Sequence, residues 1–135
     1  MGDELSTNDY RALAGFRHAL RVFQRFSEQA AREAGITPAH HQLMLAIRGR
    51  PGDRPPTVSD LAAMLQLKHH STVELIQRAT QAGLVVSSAD PLDGRRHLTE
   101  LTTLGESTLA SLSKLHRDEL RRFRSQMLDV LHELD

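Results

Sequence analysis

Histidine is the residue type in this sequence that can take part in the most kinds of chemistry. Its neutral imidazole binds metal ions, and the ordinary pKa of the ring lies close to neutral pH. The chain has eight histidines and no cysteine, which excludes thiolate metal sites, disulfides and cysteine nucleophiles. The pairs His40-His41 and His69-His70 would point about 100° apart on a helix, and no two histidines have the i, i+4 spacing that brings two rings to one ion. We predict no metal ligands and keep a metal- or pH-responsive protein as an alternative.

The local motifs that organise many catalytic sites are absent from the sequence. It contains no glycine-rich phosphate loop, no Gly-x-Ser-x-Gly turn and no His-Glu-x-x-His pair. These patterns mark nucleotide-binding, esterase-type and zinc-hydrolase sites. A pair of catalytic carboxylates leaves no such pattern and is not excluded on this ground. We expect a protein without enzyme activity and without a cofactor.

The composition is that of an ordinary soluble domain, with 39% hydrophobic and 25% charged residues. No apolar run reaches the roughly 18 residues of a membrane span, and Met1–Tyr10 is polar where a signal peptide would be apolar. We therefore expect a cytoplasmic protein without a membrane anchor. The 17 basic and 17 acidic residues balance, although a nucleic-acid-binding domain more often has a basic excess.

Apolar residues recur at helical spacing in two long and three short segments. The long helices are expected at about residues 8–33 and 104–134, and the first short helix begins at Thr37-Pro38. The other two short helices are joined by a tight connection near Gln66. Three helix starts carry a hydroxyl residue followed three positions later by an acid, the pattern of a capping box: Ser6 with Asp9, Thr57 with Asp60, and Thr103 with Glu106.

A β-hairpin is predicted between the fourth and fifth helices. Leu84-Val85-Val86 is short and β-branched, the turn-forming residues Asp90–Gly94 follow, and His97–Leu101 completes the pair. The order of four helices, two strands and a long helix is that of a winged helix-turn-helix between flanking helices. The predicted fold class is therefore mainly α with a small β-hairpin wing.

Two motifs resemble those of the MarR family of transcriptional regulators. Asp93-Gly94-Arg95, followed by Leu101-Thr102 and Gly105, resembles the wing signature of the family, an Asp-x-Arg and then, after a short strand, a Leu-Thr. The segment from residue 61 to residue 85 is similar to the family's helix-turn-helix and aligns without a gap, although Gln66 replaces the usual turn glycine. The resemblance spans nearly the whole chain.

This resemblance implies a single MarR-like domain over residues 1–135. Helices 8–34 and 104–135 would form a homodimer, and residues 36–103 would be the winged helix-turn-helix core with its wing at about 86–100. The resemblance also implies a sequence-specific regulator of double-stranded DNA, a dimeric repressor that a small aromatic or anionic effector releases from a pseudo-palindromic operator. A winged helix that binds another protein instead of DNA is the alternative.

The candidate DNA-binding residues lie on the fourth helix, at the start of the third helix and at the wing. The residues expected toward the core are Thr72, Leu75, Ile76 and Ala79. The opposite face of the fourth helix would meet the major groove, where base edges differ in donors and acceptors. By resemblance, Arg95 enters the minor groove and Asp93 holds Arg95 in position. The full set is Thr57, Ser59, Lys68, His69, His70, Ser71, Val73, Glu74, Gln77, Arg78, Arg95 and Arg96.

The first and last helices carry more apolar residues than one small core covers, which predicts a partner surface. The residues expected at the dimer interface are Leu13, Phe16, Leu20, Phe23, Leu120, Phe123, Met127 and Leu131. The resemblance also implies an effector pocket, for which the candidates are Arg17, His18, His41, Met44 and Leu112. Ordinary core packing is the alternative for the apolar members of both sets.

Charge is balanced within the candidate DNA-binding region. Residues 57–97 contain the basic residues Lys68, Arg78, Arg95 and Arg96 and the acidic residues Asp60, Glu74, Asp90 and Asp93. DNA binding would therefore depend on where the charges lie rather than on their sum, and we expect a modest salt dependence. The acidic side chains of Glu74 and Asp90 favour the protein-binding alternative.

Overall fold

A computed structural model describes residues 2–135. Over these residues the chain forms five helices and one two-stranded antiparallel sheet. The elements are α1 (Thr7–Glu33), α2 (Pro38–Arg48), α3 (Val58–Leu65), α4 (His69–Gln81), β1 (Val85–Asp90), β2 (Asp93–Leu101) and α5 (Thr103–His132). This order confirms the predicted winged helix-turn-helix between two long helices. None of the helices described is both long and apolar enough to cross a membrane.

The chain divides into two compact units, the first of which is a helix pair. It joins the part of α1 up to residue 30 to the part of α5 over residues 113–135. Inside the pair, the rings of Phe23 and Phe123 lie 5.4 Å apart between centroids, and the ring of His116 meets Phe23 edge-on at 6.3 Å. These contacts show that part of the predicted dimer set packs within its own chain.

The second unit, Ala31–Leu112, contains the main hydrophobic core. The core residues come from α2, α3, α4, β1 and the start of α5, and are Leu43, Met44, Leu61, Ile76, Ala79, Leu84, Val85 and Leu109. Thr72 is also buried, and its hydroxyl donates to the Lys68 carbonyl at 2.9 Å. The burial of Thr72, Ile76 and Ala79 agrees with the predicted inner face of α4, so the opposite face points outward.

Reciprocal hydrogen bonds fix the first residues of α1 and α3. The Asp9 amide donates to the Ser6 hydroxyl and the Ser6 amide donates to the Asp9 carboxylate, both at 3.1 Å. Thr57 and Asp60 make the same pair of bonds at 3.2 and 2.9 Å. Each pair satisfies two amides that a helix start leaves without an intrahelical partner. Both predicted capping boxes are confirmed.

The third predicted capping box, Thr103 with Glu106, is wrong by one residue. The hydroxyl of Thr102 caps α5 instead, because it accepts a hydrogen bond from the Gly105 amide at 3.0 Å. The same hydroxyl donates to the carbonyl of Gly83 at 2.6 Å. Gly83 lies just after the end of α4. This second contact comes from a distant part of the chain, so the local spacing, which favoured Thr103, did not indicate it.

The connection between α3 and α4 is a tight turn built on Gln66. Its backbone has φ 56° and ψ 43°, the left-handed region in which glycine is the usual residue. The Gln66 side-chain amide donates to the Ala63 carbonyl at 2.7 Å and stabilises the turn. The helix-turn-helix therefore forms without the turn glycine.

The wing lies close to its predicted residues 86–100, but its two strands are longer than the sequence pattern indicated. The prediction gave strands at residues 84–86 and 97–101, whereas β1 and β2 pair up to Asp90 and Asp93 and leave only Pro91 and Leu92 between them. The added residues are polar or small, so they lack the apolar alternation from which strands are predicted. At the base of the wing, Thr57 forms an isolated β-bridge with Leu98, and the Thr99 amide donates to the Pro56 carbonyl at 3.0 Å.

Candidate nucleic-acid interface

The start of α3, the outward face of α4 and the wing enclose one concave surface of about 690 Å³. Its lining includes seven of the predicted DNA-binding residues, Thr57, Ser59, His69, Val73, Gln77, Arg95 and Arg96. Val58, Asp60, Ile76, Ser87 and His97 complete the lining. The other predicted residues lie outside this concavity, at the N-terminal boundary of α4 and along that helix: Lys68, His70, Ser71, Glu74 and Arg78. Three elements that are distant in sequence thus meet on one surface.

The first residues of α3 form part of the concave surface, and the carboxylate among them, Asp60, is paired with an arginine. The Asp60 carboxylate, which accepts the Thr57 amide, also pairs with Nη1 of Arg50 at 2.9 Å. The hydrogen bond from the Thr57 amide lowers the pKa of Asp60, and Arg50 acts in the same direction, while burial opposes them. Asp60 is therefore ionised at neutral pH, and Arg50 offsets its charge beside the α3 amides, which favour an anion.

Helix α4 presents a polar outward face. His69, His70, Glu74, Gln77 and Arg78 are exposed, and Ser71 and Val73 are half-buried. Amide, carboxylate, imidazole and guanidinium groups differ in the donors and acceptors that they offer to base edges. The face can therefore distinguish base pairs, and its mixed charge limits attraction to the DNA backbone alone.

The wing ends in two arginines that share one carboxylate. Oδ1 of Asp93 accepts from the Arg95 amide at 3.1 Å and from Nε of Arg95 at 3.3 Å, and Nε of Arg96 lies 3.7 Å from Oδ2. The side chain of Arg95 is 93% exposed. Asp93 thus orients a guanidinium whose outer nitrogens extend into solvent, the arrangement that the sequence suggested for this pair.

Asp90 does not contribute an exposed acid to this surface. Its side chain is 2% exposed and accepts two hydrogen bonds from Nη2 of Arg54, at 3.0 and 3.1 Å. The argument that Asp90 favours a protein-binding surface is therefore wrong, because the partner arginine lies outside the segment in which charges were counted. Sequence analysis missed both Arg50 and Arg54, since the loop between α2 and α3 has no periodicity that would indicate where its side chains point.

Acid is expected to destabilise the fold through these carboxylates. Backbone amide hydrogen bonds lower the pKa of Asp60 and Asp90, with further lowering by Arg50 and Arg54. A carboxyl group of this kind contributes stability that is present above its unfolded pKa of about 3.9 and is lost as pH falls through the lower folded value. We expect these two carboxylates to leave the urea midpoint unchanged above about pH 5 and to lower it below about pH 4.

The matched variant is Asp60→Asn/Asp90→Asn, which removes both titrating groups. Its urea midpoint should fall less between pH 5 and pH 3 than that of the unaltered protein. The remaining fall would come from other carboxyls such as Asp9, whose pKa is lowered by the Ser6 amide. A fall of equal size in both proteins would contradict the assignment.

The predicted dimerisation residues all lie in the helix-pair unit. Leu13, Phe16, Leu120 and Leu131 are exposed. The others are half-buried, namely Leu20, Phe23, Phe123 and Met127. A single chain therefore leaves an apolar part of the predicted interface open to solvent, while Phe23 and Phe123 are engaged with each other.

The predicted effector residues fall into both units. Arg17 and His18 are exposed on α1, whereas His41, Met44 and Leu112 are buried in the second unit. The effector pocket stays a prediction. Among residues 2–135, no cluster of three or more histidine, aspartate or glutamate side chains is arranged to hold a metal ion.

Part of the sequence matches the model of one protein family, and solved structures share the fold of the chain. Residues 34–96 match the model of the MarR family. A relative from Thauera aromatica, named as a transcriptional regulatory protein for the hcr operon, is 24% identical over 114 residues, which are 84% of this chain and 67% of the relative. The matched segment contains the helix-turn-helix and the wing as far as Arg96.

Solved structures share this fold at low sequence identity. AbsC of Streptomyces coelicolor, a MarR family transcriptional regulator, has a TM-score of 0.75 at 22% identity, covering 89% of this chain and 80% of AbsC. MepR of Staphylococcus aureus, solved as a complex with DNA, has a TM-score of 0.71 at 20% identity, covering 91% of this chain and 85% of MepR. The helix-turn-helix and most of the wing are thus similar to the MarR family, and the chain shares the fold of solved members of that family.

Proposed function

We propose that this protein is a sequence-specific double-stranded DNA-binding transcriptional regulator that acts as a homodimer. The observation that carries the proposal is the concave surface on which the α3 start, the outward face of α4 and Arg95 of the wing meet. A helix for the major groove beside an arginine for the minor groove is the pair of elements that a winged helix needs to read a duplex. The DNA complex of MepR, which has the same fold, supports this use of the surface.

Each part of the surface has a distinct role in this proposal. The amides at the α3 start, with Thr57 and Ser59, bind a backbone phosphate. Gln77 on α4 pairs with adenine, and Glu74 accepts from the cytosine amino group. Arg95 enters a narrow minor groove, where the negative potential is strongest. Phosphate contacts set the register, and the base contacts supply the specificity.

The homodimer follows from the apolar surface of the helix-pair unit. Large hydrophobic side chains that are exposed there are Leu5, Tyr10, Leu13, Phe16, Val22, Leu115, Leu120, Leu128, Leu131 and Leu134. Monomeric proteins seldom expose so many neighbouring apolar groups, because their burial against a partner is favourable. A second copy of the chain would cover them around a two-fold axis and present two α4 helices to a pseudo-palindromic site.

Within this proposal the protein acts in the cytoplasm as a repressor and has no enzyme activity. The resemblance to the MarR family implies release from DNA when a small aromatic or anionic compound binds, and we propose this for the chain, with Arg17, His18, His41, Met44 and Leu112 as the candidate contacts. The exposed guanidinium of Arg17 gives an anionic effector a charge partner.

Selection from a random duplex DNA pool tests the function. Purified protein is mixed with the pool at about 50 mM and about 150 mM salt, and bound DNA is sequenced after several rounds. We expect enrichment of an inverted repeat whose half-site centres lie about 10 bp apart. Recovery of no enriched sequence at either salt concentration would contradict the proposal and favour a winged helix that binds protein.

Arg95→Ala is expected to weaken binding to the selected duplex by roughly tenfold to a hundredfold, because a groove-inserted arginine contributes about 1–3 kcal/mol. The thermal midpoint should stay unchanged, since the side chain is 93% exposed. Fluorescence anisotropy with a labelled duplex measures the affinity. Arg48→Ala is the control, because it removes the same charge from an exposed position outside the concavity. Equal affinities of the two variants would exclude the wing from the interface.

A further inference from the structure

The tip of the wing is held by the buried carboxylate of Asp90. Asp90 ends β1, and its Oδ1 accepts the Leu92 amide at 2.9 Å across the turn. The pairing of β1 with β2 shifts register between Ala89 and Asp90, where Asp90 faces Asp93. The conformation of Pro91-Leu92 therefore depends on where the Asp90 carboxylate is held.

Arg54 determines where that carboxylate is held. Nη2 of Arg54 donates to both oxygens of Asp90, at 3.0 and 3.1 Å, while the arginine side chain itself is 55% exposed. The Leu92 amide lowers the pKa of Asp90, burial opposes this, and Arg54 and, to a smaller extent, Arg96 lower it further, so the group is ionised at neutral pH. A buried carboxylate that loses its cation is strongly unfavourable. Arg54 is the cation that is hydrogen-bonded to Asp90, and Arg96 acts only through its charge, so we expect loss of Arg54 to shift the turn toward solvent.

The loop that carries Arg54 is fixed at its end. Two residues after Arg54, the Pro56 carbonyl accepts a hydrogen bond from the Thr99 amide at 3.0 Å. The next residue, Thr57, forms a β-bridge with Leu98 of β2. Arg54 thus approaches Asp90 from backbone that is bonded to the same wing. Its contact joins the base of the wing to the tip.

On the other side of the two-residue turn lies the carboxylate that orients the DNA-facing arginines. Asp93 follows Leu92 directly, and it bonds the amide and Nε of Arg95. Leu92 itself is 80% exposed at the tip. A shift of the turn would therefore move Asp93, and with it the guanidinium of Arg95, relative to α4.

We propose that Arg54 is a positioning residue of the DNA interface, which holds the wing tip through Asp90 and does not itself contact DNA. The inference rests on the proposed DNA-binding function for its effect on affinity. Its effect on the turn is a property of the free protein. Arg54 is separated from Asp90 by 36 positions, and it lies outside the lining of the concave surface.

The test is a double-mutant cycle with Arg54→Ala and Asp90→Asn. Arg54→Ala leaves a buried charge without its cation, so we expect operator binding to weaken roughly tenfold. Asn at position 90 keeps an acceptor for the Leu92 amide but removes that charge, so the double variant should bind within about threefold of the unaltered protein. Arg48→Ala again controls for the loss of one positive charge.

Salt dependence separates positioning from direct contact. If Arg54 bound a phosphate, its replacement would lower the slope of log affinity against log salt by about one, and Asp90→Asn would not restore binding. That result would overturn the proposal, as would an unchanged affinity of Arg54→Ala while the unaltered protein binds. An unchanged slope together with rescue in the double variant would support it.

Amide hydrogen exchange measured by NMR tests the turn without DNA. We expect the Leu92 amide to exchange roughly tenfold faster in Arg54→Ala, with the core amide of Leu61 unchanged and Leu92 protection restored in the double variant. If the unaltered protein selects no DNA, the proposed function fails and this measurement alone decides whether Arg54 holds the tip. Unchanged Leu92 exchange, or equal acceleration at Leu61, would overturn the proposal.

Discussion

Gly105→Ala is expected to destabilise the protein by about 3 kcal/mol, the upper part of the usual range for overpacking. A Cβ at this position would overlap the carbonyl oxygen of Leu84 and lie 3.1 Å from its carbonyl carbon. That carbonyl accepts the Thr102 amide at 3.0 Å, and the Gly105 amide is bonded to the Thr102 hydroxyl at 3.0 Å. Neither backbone can move away without losing these bonds.

The sign of the effect makes this substitution informative. In the first turns of a helix, alanine is ordinarily more favourable than glycine by up to about 1 kcal/mol, so a purely local view predicts a gain in stability. Urea unfolding followed by circular dichroism measures the difference. Gly94→Ala is the matched control, because no atom lies within 4 Å of its added Cβ. A variant at position 105 as stable as this control would contradict the close approach of Gly105 to Leu84.

Leu131→Glu is expected to dissociate the proposed homodimer. Operator binding should weaken by about a hundredfold or more, because a monomer binds one half-site at a time and loses the added affinity of two linked binding sites. Leu131 is 55% exposed in the helix-pair unit, among other apolar side chains of α5 that lack a cover within the chain. A carboxylate placed there would have to be buried in the interface without a cation. Analytical ultracentrifugation measures the mass, and anisotropy measures the DNA affinity.

Leu45→Glu is the control for this change. Leu45 has a similar exposure, 50%, but lies on α2 in the second unit, outside the helices predicted to form the dimer. It should remain a dimer at the concentration at which Leu131→Glu is a monomer. A dimer in both variants would show that the apolar surface of the helix pair serves another purpose.

Elements whose ends are fixed by bonds between close neighbours were predictable from the sequence. Ser6 with Asp9 and Thr57 with Asp60 bond each other across three positions, so their spacing was sufficient. The start of α5 was not predictable in this way. The capping pattern is present only at Thr103, which has Glu106 three positions later, whereas Thr102 caps the helix and also bonds the carbonyl of Gly83, 19 positions away.

In the candidate site, too, contacts between close neighbours in sequence were predictable and contacts between distant residues were not. Asp93 and Arg95 are two positions apart, and their pairing could be expected from sequence alone. The pair formed by Arg54 and Asp90 spans 36 positions and starts in a loop without regular structure. The sum of charges over residues 57–97 therefore missed the cation that neutralises Asp90, and the polarity of the surface was misjudged at that point.

The polar face of α4 bears on how such a protein diverges during evolution. His70, Glu74 and Gln77 are exposed, and no side-chain hydrogen bond or ion pair holds them within residues 2–135. Substitutions at these positions leave the core and the helix caps intact, and surface changes of this kind usually alter stability by less than about 0.5 kcal/mol. Thr57, Asp93 and Gly105, by contrast, maintain the scaffold. A new operator preference is therefore accessible through a few single substitutions on one helix, each passing through a folded intermediate.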